Sequence, residues 1–280
     1  MMRFVLFYLL LCLSTSATAW PNRPVRLLVP VAPGGGADQM ARILARHWEQ
    51  QFNQPVIVDN RGGAAGAVAF NVLLSAAPDG HTVLLMSNGE QEEMVRRNPL
   101  VEIQTVARMP ITVSVITALG IQDLNSLISH ARRNPGRLHY GTGGVGSVLH
   151  VAAREFERMY SVSLAHVPYK GGAQAIIPML SGETQVLFMG IGPMLGYRHN
   201  DRIKILAIAG DRRSPQAPEI ATFAEQGSGF DFYIWYALVT NQGIPEQARQ
   251  RMIQTVRSVD SSEYTRLGAS IWTITRANRR

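Results

Sequence analysis

The chain alternates between short apolar runs of strand length and longer segments with helical spacing. Val25 to Val31 is an apolar run broken by Pro33-Gly34-Gly35-Gly36. From Asp38 the period changes, and Met40, Ile43, Leu44, His47, Trp48 and Phe52 recur at helical intervals. Val56-Ile57-Val58 reads as a second strand, Ala67–Ala76 as a second helix and His81–Met86 as a third strand. Gly62-Gly63-Ala64 and Ala77-Pro78-Asp79-Gly80 separate them as turns. The order β-α-β-α-β with short connections predicts a parallel sheet.

The second half repeats the plan. Arg137–Tyr140 is a predicted strand, Gly141–Ser147 a Gly-rich turn, Val148–Tyr160 a helix and Val162–Pro168 a strand. A helix to Leu180 and a strand from Thr184 to Met189 follow. Gly34 and Gly62 are 28 residues apart, as are Gly143 and Gly171, and Arg-Gly-Gly-Ala in one half answers Lys-Gly-Gly-Ala in the other. Two similar α/β lobes are expected, the first from 20 to 117 and the second from 118 to 231. The apolar run Phe232–Thr240 would return the chain to the first lobe, with a helix over Pro245–Val259 in a segment reaching 280. Two crossings between lobes make a hinge.

Residues 1–19 stand apart. Arg3, the apolar stretch Phe4–Leu13 and Ala17-Thr18-Ala19 have the form of an export signal cleaved after Ala19. The stretch is too short for a stable membrane-spanning helix. Cys12 is the single cysteine, and Leu11 precedes it where lipid attachment wants a small residue. A mature chain beginning at Trp20 would have no thiolate chemistry.

The composition, 46% hydrophobic and 17% charged, is that of a globular protein rather than a disordered one. The net charge of +7 favours anionic partners. Its Lys and Arg residues are dispersed apart from pairs such as Arg96-Arg97 and Arg132-Arg133, and no aromatic-basic stripe accompanies them. Nucleic acid is therefore not the expected partner.

The Gly-rich turns carry the candidate chemistry. The first N–H groups of a helix lack partners and sit at the positive end of its dipole. Glycine lets a ligand reach that backbone. One exposed helix end contributes about 0.3–1 kcal/mol and a partly buried one up to about 2. Micromolar binding needs about 8 kcal/mol. Two helix ends facing one closing cleft, with side-chain donors, could reach it. In open α/β sheets ligands bind beyond the carboxyl ends of the strands, where all these turns lie.

Each turn also has a plainer reading. Ser87 and Asn88 suit any turn. Tyr169 and Lys170 could be a solvated loop, Asp38 a helix-start residue favoured by the dipole, and His150 a packed helix residue. Gly141-x-Gly143-x-x-Gly146 matches a dinucleotide fingerprint, but the next strand ends in Val167-Pro168-Tyr169-Lys170 without the acid that fingerprint needs. No phosphate-binding Gly-Lys-Ser/Thr or Gly-x-Ser-x-Gly elbow occurs, and no histidine spacing fits a metal. No cofactor, metal or catalytic residue is expected.

At these turns the sequence resembles the substrate-binding proteins of tripartite tricarboxylate transporters, the Bug family. The matching stretches include Trp20-Pro21, Pro33-Gly34-Gly35-Gly36-x-Asp38, Asn60-Arg61-x-Gly63-Ala64 with Gly66, and Pro78-Asp79-Gly80. Asn134-Pro135-Gly136, Gly144-x-Gly146-Ser147-x-x-His150, His166–Gly171 and Trp235-Tyr236 continue them in order.

The resemblance implies a type II periplasmic binding fold without catalysis, with each lobe a mostly parallel sheet flanked by helices. It implies a monomeric receptor that passes a di- or tricarboxylate or an aromatic acid to membrane permease subunits. Gly34, Gly35 and Gly36, and Gly144, Gly146 and Ser147, would form the carboxylate clamp, and Ala37 and Asp38 belong to the same ligand-binding set. Gly66, Ser87, Asn88, Tyr169 and Lys170 would line the rest.

Four departures stand out. Ala37 replaces the usual Thr or Ser, Met189 replaces an Asp, and Gly89–Met109 is shorter than in relatives. The chain also stops at Arg280, and Ile271–Arg280 does not match. The alternative expectations are a sensor partner or truncated remnant, and a secreted hydrolase using Ser147 with His150.

Overall fold

The computed structural model describes residues 20–271. The expected export signal and cleavage point, and residues 272–280, lie outside them. Strand β1 (Val25–Val29) leads into helix α1 (Gly36–Phe52), followed by β2 (Val56–Asn60), α2 (Ala67–Leu74), β3 (Thr82–Ser87) and α3 (Glu90–Arg97). Strand β4 (Leu100–Ile116) is followed by α4 (Leu124–Arg133), β5 (His139–Thr142), α5 (Val148–Tyr160) and β6 (Ala165–Pro168). Then come α6 (Ile176–Ser181), β7 (Val186–Gly190), the one-turn α7 (Ile191–Met194), β8 (Ile203–Ile208) and β9 (Tyr233–Asn241). Helices α8 (Glu246–Arg257) and α9 (Ser261–Arg266) and strand β10 (Ser270–Ile271) complete the order.

The fold is α/β, a mixed sheet flanked by helices. β1 pairs in parallel with β2 and β3, and β5 pairs in parallel with β6 and β7. The crossing strands make both halves mixed rather than parallel throughout. β9 runs antiparallel between β3 and β4, and β4 pairs antiparallel with β7 and β8. β4 is long enough to serve both halves. Its residues Leu100–Pro110 pair with β9, and Ile111–Ile116 with β7 and β8. Pro110 falls at the handover, where the missing N–H of a proline costs a ladder least. Ile111 ties the crossing together, donating its N–H to Phe232 O at 3.1 Å and accepting the Ala209 N–H at 2.8 Å.

The local patterns explain the elements. Five of the six periodic residues of α1, namely Met40, Ile43, Leu44, Trp48 and Phe52, are buried. The sixth, His47, sits at the edge with its Nε2 2.9 Å from Ser258 Oγ. In β1, Val25, Leu27 and Val29 pack into the larger core, while Leu28 joins Phe70, Leu73 and Leu84 on the other face. A strand covered on both faces reads as a continuous apolar run for this reason.

Some strand starts differ from the sequence reading. β6 begins at Ala165 rather than Val162. Ser161 adopts the left-handed conformation that ends α5, and the Val162 N–H bonds back to Glu157 O. β5 runs over His139–Thr142, so it carries the backbone two residues further into the Gly-rich turn. The segment after Gly172 is a 3₁₀ turn to Ala175 before the short α6.

The chain's last described elements return to the first half. β10 pairs with β4 through Ser270–Arg108 and Ile271–Ala107, Arg46 meets Glu263 at 3.2 Å, and Tyr264 is fully buried.

Candidate functional site

Four turns at the carboxyl ends of the parallel strands share one local device. A side chain near the start of the following helical segment folds back and accepts a backbone N–H four residues earlier. Gly34 N–H donates to Asp38 Oδ2 at 3.0 Å, and Ser87 N–H to Gln91 Oε1 at 2.8 Å. Gly146 N–H donates to His150 Nδ1 at 3.1 Å, and Lys170 N–H to Gln174 Oε1 at 3.1 Å. The turn is pinned from behind, and the first helical N–H groups keep their freedom to bind something else.

At α1 this is clearest. Gly35 is the N-cap and brings no side chain, so no cap closes the helix end. Asp38 is consumed by the brace. Its oxygens also accept from Asn60 Nδ2 at 3.1 Å and Arg42 Nε at 3.0 Å. Burial alone would raise the Asp38 carboxyl. The hydrogen bonds from Arg42, the Gly34 amide and Asn60 outweigh that and hold it below its ordinary value.

At α5 the N-cap is Ser147. Its Oγ accepts the His150 backbone N–H at 3.4 Å, which leaves the hydroxyl hydrogen available. The His150 ring lies tilted against His166 with centroids 4.4 Å apart. His166 Nε2 lies 2.6 Å from Thr142 Oγ1, and that hydroxyl accepts the Gly144 N–H at 3.1 Å. Burial first, and then the neighbouring His150, lower the pKa of His166. The hydrogen bond that joins Ser147 to His150 runs from the His150 backbone, so it does not set up a nucleophile and its base.

The starts of α1 and α5 open on one cavity of about 70 Å³. The first half contributes Ala32, Gly35, Gly36, Ala37, Ser87 and Gln91. The second contributes Ser147, Val148, Leu149, Gly172, Ala173 and Met189. Ile234 and Tyr236 of β9 form a floor between them. Tyr236 is 2% exposed. Its hydroxyl lies close to the start of α1, where a methyl built on Gly36 would come 2.7 Å from it. Only glycine leaves that approach open.

The sequence-predicted residues divide accordingly. Gly35, Gly36, Ala37, Ser87 and Ser147 line the cavity. Gly34, Asp38, Gly66, Gly144 and Gly146 stand behind it, shaping or bracing the turns. Asn88 joins β3 to β9 instead, donating to Tyr233 O at 3.0 Å and accepting the Trp235 N–H at 3.2 Å. The Tyr169 hydroxyl donates to Glu183 at 3.1 Å, and Lys170 is exposed. Sequence reasoning missed Tyr236, Ile234 and Gln91. Gln91 had a readable signal, since it stands four residues after Ser87 as Asp38 does after Gly34. Tyr236 and Ile234 read as core strand, and nothing local marks them.

Residues 40–267 match the model of the tripartite tricarboxylate transporter family receptor. The chain belongs to this family. It is 31% identical over 269 residues to the UPF0065 protein in the tcbD-tcbE intergenic region of Pseudomonas sp. strain P51, covering 89% of this chain and 79% of that one. Among solved structures it resembles a Rhodopseudomonas palustris protein determined with adipate. That pair has a TM-score of 0.85 and 25% identity, covering 91% of each chain. MatC from Rhodopseudomonas palustris, with bound malate, has a TM-score of 0.83 and 25% identity, covering 90% of this chain and 91% of MatC. Family and neighbours are periplasmic solute-binding receptors and not enzymes. Gly36, Ala37 and Ser147 thus occupy the cavity of a receptor of this family.

Proposed function

We propose that this chain is an exported receptor, cleaved after Ala19, which captures a small carboxylate between two lobes. It acts as a monomer and presents the closed complex to membrane permease subunits of a tripartite transporter. The first lobe comprises residues 20–117 and 232–280, the second 118–231. The clamp is the pair of turns around Gly34–Ala37 and Gly144–Ser147.

One observation carries the reading: two helix starts from opposite halves of the molecule face one shared cavity. Each supplies N–H groups and a positive dipole end, and Ser147 adds a hydroxyl donor. The adipate and malate in the two Rhodopseudomonas palustris structures support a carboxylate. A ligand that touches both halves binds the closed form better than the open one and draws the lobes together.

The test is a thermal-shift screen of purified residues 20–280 against small carboxylates, followed by calorimetry. One acid class should raise the melting temperature by a few degrees and bind saturably without product. Turnover of a carboxylate ester, or no shift with any acid, would overturn the receptor reading.

A further inference from the structure

We infer that the His150 ring is a proton-sensitive brace of the Gly144–Ser147 turn, so that acid loosens this half of the clamp and weakens its hold on a carboxylate. This rests on the receptor reading above and adds a regulation to the same site.

The turn depends on its hydrogen bonds. Gly144 and Gly146 take φ of +112° and +78°, in the left-handed region, and bring no side chains to pack. The Ser147 N–H donates to Gly144 O at 3.2 Å, and the Gly144 N–H to Thr142 Oγ1 at 3.1 Å. The Gly146 N–H donates to His150 Nδ1 at 3.1 Å. Ser147, which follows directly, is the residue of this turn that reaches the cavity with a hydroxyl.

The acceptor at His150 differs in kind from its counterparts. Asp38, Gln91 and Gln174 brace the other three turns in the same way. A glutamine amide does not titrate, and Asp38 is held ionised below its ordinary range. An imidazole changes charge near neutral pH. Because Nδ1 accepts, the neutral ring carries its hydrogen on Nε2. An arriving proton must bond to the Nδ1 lone pair, the one that holds the Gly146 N–H. The ring then donates from both nitrogens, and the Gly146 N–H loses its acceptor.

The ring of His166 on β6 is 4.4 Å away, so the two rings resist carrying charge together. Burial first, and then His150, hold the His166 pKa down, which directs the pair's proton to His150. The other ionisable groups around the pair are engaged or neutral. On α5, Arg154 meets Glu157 at 3.0 Å. On β5, Tyr140 lies 5.1 Å from His166, and its hydroxyl is pushed up to about 12, chiefly by burial. Lys170, beyond β6, is exposed. From the first half, the start of α3 comes close, since a methyl built on Gly89 would lie 3.0 Å from Gly146 O. Of its acids, Glu90 is the first helical residue, Glu92 accepts the Gly89 N–H at 3.3 Å, and Glu93 pairs with Arg96 and Arg97.

The experiment compares wild type with His150→Gln at pH 7.5 and 5.5 and constant ionic strength, by amide exchange and by calorimetric titration. The new glutamine can accept from Gly146 as Gln91 and Gln174 do in their turns, and it has no proton to gain. In the ligand-free wild type, protection of the Gly146 amide, corrected for the intrinsic rate, should fall about five- to ten-fold between the two pH values, the loss of one hydrogen bond. In His150→Gln it should fall by about two-fold at most. With adipate and malate as probes, wild-type affinity should fall about five- to ten-fold further than that of the variant. Protonation of the acid itself enters both proteins equally and cancels. Constant protection of Gly146 in the wild type would overturn the inference, whether or not the variant folds. An equal loss of protection in both proteins would overturn it too. Equal pH dependence of affinity in both would overturn the link to ligand hold and leave the receptor reading standing. The expected loss of protection, with neither acid bound at either pH, would support the brace and count against the receptor reading.

Discussion

Gly171, in the second half of the chain, faces the backbone of Ala32 in the first, so closely that a methyl on its Cα would come 3.1 Å from the Ala32 nitrogen and 3.2 Å from the Ala32 Cβ. Its φ of −178° is extended backbone open to any residue. The glycine is needed for proximity between the halves, not for conformation. Gly171→Ala should therefore push the two halves apart at this contact and so oppose the closing that the proposed function requires. The expected loss in ligand affinity is about 3- to 10-fold, roughly 1 kcal/mol. Calorimetry together with the radius of gyration from X-ray scattering checks this. A mutant that compacts on ligand and binds like wild type would show that this contact does not limit closure.

Ser147 has two jobs at the start of α5, capping the helix through its oxygen and pointing a hydroxyl at the cavity. Ser147→Ala should cost about 1–2 kcal/mol of carboxylate binding, as for a lost hydrogen bond to a charged group. The long 3.4 Å cap bond makes the stability loss smaller, about 0.5–1 kcal/mol. Parallel calorimetry and urea melts separate the two effects.

Asp38 should be a stability residue rather than a ligand contact. Asp38→Ala leaves the Gly34 N–H and the Asn60 amide without their acceptor, which costs about 1–3 kcal/mol. The pH dependence has a definite sign. The folded carboxyl lies below its unfolded value of about 3.9, so its contribution is complete above that value and fades as pH falls through the folded one. Urea melts between pH 3 and 6 should show a steeper acid loss in wild type than in Asp38→Ala. Parallel pH profiles would refute the brace.

His166 should make stability depend on pH in a higher range. Its folded pKa is below the unfolded value of about 6.5, so the unfolded chain takes up its proton first as pH falls. Stability should be greatest above pH 7 and decline as pH drops below about 6.5. His166→Gln should flatten that decline in urea melts at constant ionic strength. Because His166 touches Thr142, which accepts the Gly144 N–H, the turn at Gly144 should show the earliest increase in amide exchange.

The order of elements and the position of the glycine turns were readable along the chain, because both rest on local periods and on backbone freedom at a few residues. The 28-residue spacing of Gly34–Gly62 and Gly143–Gly171 already announced a repeated βα plan. The chemistry at Gly35, Gly36 and Ser147 followed from what any helix start after a strand must leave unsatisfied. The route of β4 through both halves was not readable. Its seventeen residues carry two register shifts against β9 and alternate with no single period. Nor was the cavity floor. Tyr236 and Ile234 belong to a run that reads as ordinary buried strand, and they reach the ligand space only because β9 inserts antiparallel beside β3. Asp38 shows the same limit from the other side, since its place at a helix start was plain but the direction of its carboxylate was not. Local sequence specifies which backbone groups are left free, while the partners that meet them come from distant segments, and only the folded sheet decides which of those arrive.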